Sequence, residues 1–187
     1  GAFAGCESLT ETDLSKTSVT GIADRTFAGC TALSQIEMPG QLRTIGTLAF
    51  EGTALSSLSA DRQITVSPFA FALMRAMPAS AVSVSNAGAA HGIYFGDEWL
   101  TQVAYPLAPI PGLAYAGCKS LDTKAVTEQA GAIGDFAFHS IPAHTVTLSQ
   151  GVTSLGEGVL GNNPEMAYIY CKQRPQGRNT GSDRAHL

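Results

Sequence analysis

The residues with the widest chemical range in this chain are four histidines, four cysteines and a short acidic stretch. His139 and His144 stand five apart, and two imidazoles that close could ligate zinc. A catalytic zinc takes about three protein ligands. No third ligand stands at a suggestive spacing, so the pair reads as exposed or turn histidines. Cys6, Cys30, Cys118 and Cys171 contain no Cys-x-x-Cys. A Cys6–Cys30 bridge or metal pair is one reading. The other is a small core residue, since free cysteine is among the most buried side chains. Core packing is favoured, because Thr53 takes nearly the same place in a related stretch. Asp97-Glu98-Trp99 offers two further readings, an indole stacked on a sugar or an aromatic packed inside, and packing is favoured. A glycosidase needs two carboxyls about 5–10 Å apart across a cleft, whereas adjacent residues of a strand point to opposite faces. There is no Ser-His-Asp set and no His-Glu-x-x-His. Gly131-Ala132-Ile133-Gly134 lacks the strand-then-helix setting of a nucleotide loop. These residues therefore read as a non-enzyme that needs no cofactor and no metal.

Three of the four cysteines occupy equivalent places in a recurring phrase, and that phrase organises the chain. It is Phe3-Ala4-Gly5-Cys6, then Phe27-Ala28-Gly29-Cys30, then Tyr115-Ala116-Gly117-Cys118, with Phe50-Glu51-Gly52-Thr53 as a relative. The aromatic recurs at Phe3, Phe27, Phe50, Phe71, Tyr94, Tyr115 and Phe138, and Leu160 is a weaker eighth copy. The steps are 24, 23, 21, 23, 21, 23 and 22 residues. After the phrase, Leu33-x-x-Ile36-x-Met38 ends in a period-two alternation, which predicts a short strand with one buried face. Pro39-Gly40 then breaks it. No unit has enough apolar residues to close its own core, but stacked units cover one another.

The whole chain has 187 residues, 44% of them apolar and only 14% charged, with a net charge of -4. That composition is not one of intrinsic disorder. The acidic balance argues against nucleic acid, whose binding rests on phosphate neutralisation. No apolar run of about 18 residues predicts a membrane span, and no signal peptide is visible at the start.

The pattern Ile-Gly-x-x-Ala-Phe-x-Gly-Cys-x-x-Leu-x-x-Ile-x-x-Pro is carried by Ile22, Ala23, Phe27, Gly29, Cys30, Leu33, Ile36 and Pro39. Ile45, Gly46, Ala49, Phe50, Gly52, Leu55 and Leu58 carry it again. It resembles the BspA-like leucine-rich repeat of bacterial cell-surface proteins. The resemblance implies an α/β leucine-rich-repeat right-handed solenoid, dominated by strands. Parallel strands would line the concave face, and short turns or helical turns the convex one. The array covers residues 1–172 in about eight units, irregular near 72–95. Residues 173–187 read as a polar tail or truncated linker. Strands are expected near 35–38, 57–60, 102–105, 145–148 and 168–171. The rings of Phe3, Phe27, Phe50, Phe71, Tyr115 and Phe138 should be buried in one row.

The resemblance further implies an extracellular or surface-displayed scaffold that binds a host or bacterial surface protein or a glycan, as an adhesin does. A spacer with no ligand of its own, or the accessory domain of an enzyme, are the alternatives. By register the outward-facing strand residues include Glu11, Asp13, Gln35, Glu37, Gln102, Tyr168 and Tyr170, which form the candidate binding face. Tyr168 and Tyr170 are the one aromatic pair in that register, and tyrosine is favoured at interfaces.

Overall fold

Leu33 to Met38 forms its strand where the alternation demands it. Gln35–Glu37 (β3) turns Gln35 and Glu37 outward and keeps Ile36 half-buried. The computed structural model describes residues 1–58, 64–76, 91–101, 109–122 and 131–171. Among these, the other strands are β1 (Glu11–Asp13), β2 (Gly21–Ile22), β4 (Thr44–Ile45), β5 (Thr65–Val66), β6 (Gly131–Ile133), β7 (Thr145–Leu148), β8 (Val152–Leu155) and β9 (Tyr168–Cys171). Every pairing is parallel and joins one coil to the next: β1 with β3, β2 with β4 and β4 with β5, β6 with β8, β7 with β9. The result is a parallel-strand solenoid with two strand columns. The expected strands at 35–38, 145–148 and 168–171 are present. At 57–60 only Leu58 makes a bridge among the described residues, and 102–105 lies outside them.

The remaining side of each coil is a ribbon of overlapping turns, with no helix among the described residues. Its hydrogen bonds alternate. In the second coil Thr26, Ala28 and Cys30 donate back to Ala23, Arg25 and Phe27 at 3.2, 3.2 and 3.0 Å. The intervening amides of Arg25, Phe27 and Gly29 donate across to Thr47, Ala49 and Glu51 of the next coil at 2.9, 2.9 and 2.8 Å. Half the amides thus close the turns and half tie the coils together, which satisfies backbone groups that burial would otherwise strand. The ribbon requires left-handed backbone two residues after the ring. Gly29 (φ 73°) and Gly117 (φ 77°) supply it, and this is why the phrase reads Ala-Gly-Cys.

A different constraint explains the Ile-Gly opening. A Cβ on Gly46 would lie 2.5 Å from the Asp24 nitrogen, and one on Gly134 would lie 2.6 Å from the Gly112 nitrogen. The coils approach too closely there for any side chain. Asp24 and Asp135 use the same proximity. Their Oδ1 atoms accept the Thr47 and Glu157 amides at 2.8 Å, capping the next coil's turn.

The core is the ladder that the 21-to-24-residue spacing predicts. Phe3, Phe27, Phe50, Phe71, Tyr94, Tyr115 and Phe138 stack ring on ring, with centroids 5.3, 5.5, 5.8, 6.5, 5.7 and 5.3 Å apart. Leu33, Leu55, Leu100 and Leu121 form a buried leucine column beside them. Phe27, Phe50, Phe71, Tyr115 and Phe138 are fully buried, but Phe3 is 44% exposed, which corrects the expectation for that ring. It stacks on Phe27 only, and no described coil covers its outer side.

Candidate functional site

Two patches stand out on the strand face. At one end β1 and β3 pair in register, Glu11 with Gln35 and Asp13 with Glu37. All four side chains are exposed, so three carboxylates and an amide share one small area. The Asp13 carboxyl is held below its ordinary value, chiefly by hydrogen bonding to Ser15, whose amide reaches its Oδ1 at 2.8 Å.

At the other end β9 carries Tyr168 and Tyr170. Alternation brings both rings to the same side, where they stack 6.0 Å apart at 15°. They are 57% and 54% exposed. Their strand partners are Thr145 and Thr147, and the His144 ring stands edge-on to Tyr168 at 6.4 Å. The site residues named from sequence thus fall into two separate clusters, Glu11/Asp13/Gln35/Glu37 and Tyr168/Tyr170, and Gln102 lies outside the described residues. The register predicts Ile169 and Cys171 inward, yet both are exposed, Ile169 by 54%. They face the interior direction, but β9 has no described coil beyond it.

The acidic stretch near Trp99 reverses the expectation. Trp99 is 65% exposed, and Asp97 is buried. Asp97 stands three residues after Tyr94, the place held by Cys30 after Phe27 and Cys118 after Tyr115. In that place a polar atom donates to the carbonyl of a ring-position residue, of its own coil or of the preceding one. The Cys30 and Cys118 thiols donate to the carbonyls of Phe3 and Tyr94 at 3.0 and 3.1 Å. Thr53 Oγ1 donates to the Phe50 carbonyl at 3.0 Å, and Asn163 Nδ2 donates to that of Leu160 at 2.8 Å. Asp97 Oδ1 instead accepts the amides of Trp99 and Leu100, each at 3.1 Å. Its Oδ2 has no partner among the described residues, nor has the buried hydroxyl of Tyr115, the next ring of the row. Burial pushes the Asp97 carboxyl up to about 7, against backbone hydrogen bonds that pull it down. Burial also raises Tyr94, Tyr115 and Cys118. A thiol held protonated in this way is a poor nucleophile. Sequence reasoning missed this polar enclave, although the register signal for Asp97 was present.

The other chemical residues are dispersed. All four cysteines are free thiols, with Cys30 and Cys118 buried and Cys6 and Cys171 exposed in the first and last of the described coils. Core packing therefore holds for the two interior ones, and that position explains the others. His139 bonds the Ser140 hydroxyl at 2.8 Å and meets Phe136 edge-on, in a different setting from His144. Among the described residues no three His, Cys, Asp or Glu side chains come together as metal ligands. A groove of about 300 Å³ lies between the last turns, lined by Lys119, Ser140, Pro142, Asn162, Asn163 and Glu165 among others. Among the described residues no helix is long and apolar enough to cross a membrane.

A solenoid of aromatic-marked, glycine-turned coils with parallel strands is a leucine-rich-repeat architecture. The family model for the BspA type leucine rich repeat region matches residues 1–77 and 94–179 in 6 copies, and the chain belongs to that family. It is similar in structure to a leucine-rich repeat protein from Bacteroides ovatus ATCC 8483. The TM-score is 0.66 at 22% identity, over 90% of this chain and 50% of that one. A leucine rich cell surface protein from Faecalibacterium prausnitzii A2-165 gives a TM-score of 0.50 at 20% identity, over 93% of this chain and 62% of that one. At such identities the likeness speaks to the fold. The chain spans about half the length of the first and less than two thirds of the second. No curated protein sequence matches it.

Proposed function

We propose that this chain is a non-enzymatic scaffold, displayed outside the cell, that binds a surface protein or a glycan through its strand face. The array is taken as residues 1–172, in about eight units, with 173–187 as a polar tail. The observation that carries the reading is the exposed, mutually stacked pair of Tyr168 and Tyr170 beside His144. Tyrosine offers a large, rigid contact area with few rotamers to fix, and its hydroxyl adds a hydrogen bond at the rim. Here two such side chains are held in register by β9 and cost no further ordering when a partner arrives. Repeat arrays present extended surfaces suited to this use. The family, together with a structural relative called a cell surface protein, supports the extracellular placement. The acidic corner at Glu11, Asp13, Gln35 and Glu37 is the second candidate patch, suited to a basic partner.

The test is a binding array of matrix proteins and glycans probed with the chain and two double variants, Tyr168→Ala/Tyr170→Ala and Glu11→Ala/Glu37→Ala. The tyrosine variant is expected to lose binding and the acidic variant to retain it. Loss in the acidic variant alone moves the site to the other end. Retention in both removes the strand face from consideration, and no binding by the unaltered chain favours a spacer without a ligand.

A further inference from the structure

The residue just before the inward leucine is small in most coils and large in one. It is Ser8 before Leu9, Ala32 before Leu33, Ala54 before Leu55, Ser120 before Leu121, and Trp99 before Leu100. The fold needs no large side chain at this place, because serine or alanine completes it elsewhere. Nor does the core take up the Trp99 indole, which is 65% exposed. An aromatic of this size usually contributes buried area, and here most of that area is left in water. Its backbone, by contrast, is fixed. The Trp99 and Leu100 amides donate to Oδ1 of the buried Asp97, each at 3.1 Å, and Leu100 anchors in the leucine column.

Stacking of the coils brings charge beside the indole. Glu98, next to Trp99 in the chain, bonds the Lys119 ammonium of the following coil. Both side chains are exposed. Held to each other they carry no net charge, yet a carboxylate oxygen and ammonium hydrogens are left over for hydrogen bonding. Lys119 also forms one wall of the groove of about 300 Å³, which continues past Ser140 and Pro142 to Asn162. This edge is the flank of the stack, and the coils of Trp99 and Lys119 have described coils on both sides.

A ligand for this edge must offer an apolar face to the indole and hydrogen-bonding groups to the pair beside it. A pyranose does both. Its C–H bonds meet the negative face of an aromatic ring, and its hydroxyls donate to a carboxylate and accept from an ammonium. The mutually neutralised pair gives a charged ligand little advantage. A protein partner needs about 800 Å² on this side, and one indole with two flanking side chains offers much less. Successive coils rise by about 4.8 Å, close to the length of one sugar residue. An oligosaccharide laid along the flank therefore meets a new coil with each ring.

We propose that Trp99, Glu98 and Lys119 bind one neutral pyranose residue of a glycan, stacked on the indole, and that the groove past Ser140 receives the adjoining residues. The site lies on the flank of the stack and does not depend on the strand-face reading above.

Trp99 is the one tryptophan in the chain, so its fluorescence reports on the site directly. The test titrates the 187-residue chain with a panel of neutral hexose and N-acetylhexosamine oligosaccharides. At least one is expected to shift the emission to shorter wavelength and to shield the indole from acrylamide, both saturably. No change with any member of the panel overturns the proposal. Affinity for the sugar so found, measured by calorimetry, should fall at least about tenfold in Trp99→Ala and be partly kept in Trp99→Phe. Alanine stands at this place in Ala32 and Ala54, so Trp99→Ala should keep the parent's urea midpoint. Glu98→Gln and Lys119→Met should each weaken binding several-fold, and unchanged affinity in both overturns the role of the pair. Tighter binding of sulfated counterparts overturns the neutral ligand class. Tyr168→Ala/Tyr170→Ala should bind the sugar normally. Loss of binding in that variant with retention in Trp99→Ala puts sugar recognition on the strand face and overturns this site.

Discussion

Phe50→Ala removes a rung from the middle of the aromatic row. Its ring is fully buried, with Phe27 at 5.5 Å on one side and Phe71 at 5.8 Å on the other. Truncating a buried phenylalanine costs about 3–5 kcal/mol, from lost transfer energy plus the cavity left behind. Each stacked pair adds about 0.5–1.5 kcal/mol beyond area. Two pairs are lost here, so the upper part of the range applies. Phe3→Ala makes the internal comparison. That ring is 44% exposed and has one stacking neighbour at 5.3 Å. With half the burial and half the stacking, the expected loss is about 1–2 kcal/mol. Gln35→Ala, exposed on β3, should stay within about 0.5 kcal/mol. Urea denaturation followed by circular dichroism orders the three, with slopes compared so that a change in cooperativity is not misread as stability. Equal midpoints for Phe50→Ala and Phe3→Ala would refute the idea that ladder position sets the energy. Equal midpoints for Phe50→Ala and Gln35→Ala would refute the inside-outside register itself.

Asp97 makes stability depend on pH. Its folded value of about 7 lies above the ordinary 3.8, so between these values the folded state keeps a proton that the unfolded chain has released. Stability therefore falls as pH rises through that window, by up to about 4 kcal/mol. Asp97→Asn keeps the Oδ1 acceptor and should flatten the profile. It should gain stability at pH 8 and change little at pH 4, read from urea midpoints, and a profile that stays unchanged would refute the assignment. Thiol reactivity follows burial. Under native conditions a thiol reagent should modify Cys6 and Cys171 quickly, and Cys30 and Cys118 only after denaturation. Rapid native labelling at Cys118 would contradict the coil stacking around it.

The repeat is legible in the sequence because its constraints are local and recur. An aromatic must fill the row, a glycine must adopt positive φ at Gly29 and Gly117, and a small residue must stand at Gly46 and Gly134 where the next backbone passes. The strands of β3, β7 and β9 follow from their alternation. The ends were less legible, because periodicity treats Phe3 as it treats Phe50 and Ile169 as it treats Val146. Burial depends instead on the neighbouring coil, and none is described beyond Phe3 or beyond β9. Trp99 was misassigned by residue type, and the burial of Asp97 was not foreseen. Indole suggests the interior and carboxylate the surface, yet the place three after Tyr94 lies inside, and two backbone amides await an acceptor there. The tyrosine pair was placed correctly by alternation alone, although its mutual stacking and the His144 contact needed coordinates.

The close approach of neighbouring backbones at Gly46 and Gly134 has a bearing on how such a chain can change over generations. A substitution there collides with main chain in the adjoining unit, so no single compensating side-chain change relieves it. Duplication of a whole unit meets no such obstacle. The added unit brings its own glycine, ring and cap, and finds above and below it the surfaces it is shaped for. Diversification by copying whole units is thus sterically easier than diversification at the seams. The outward side chains of the strands, typified by the exposed Gln35, are left as the ground on which recognition can vary.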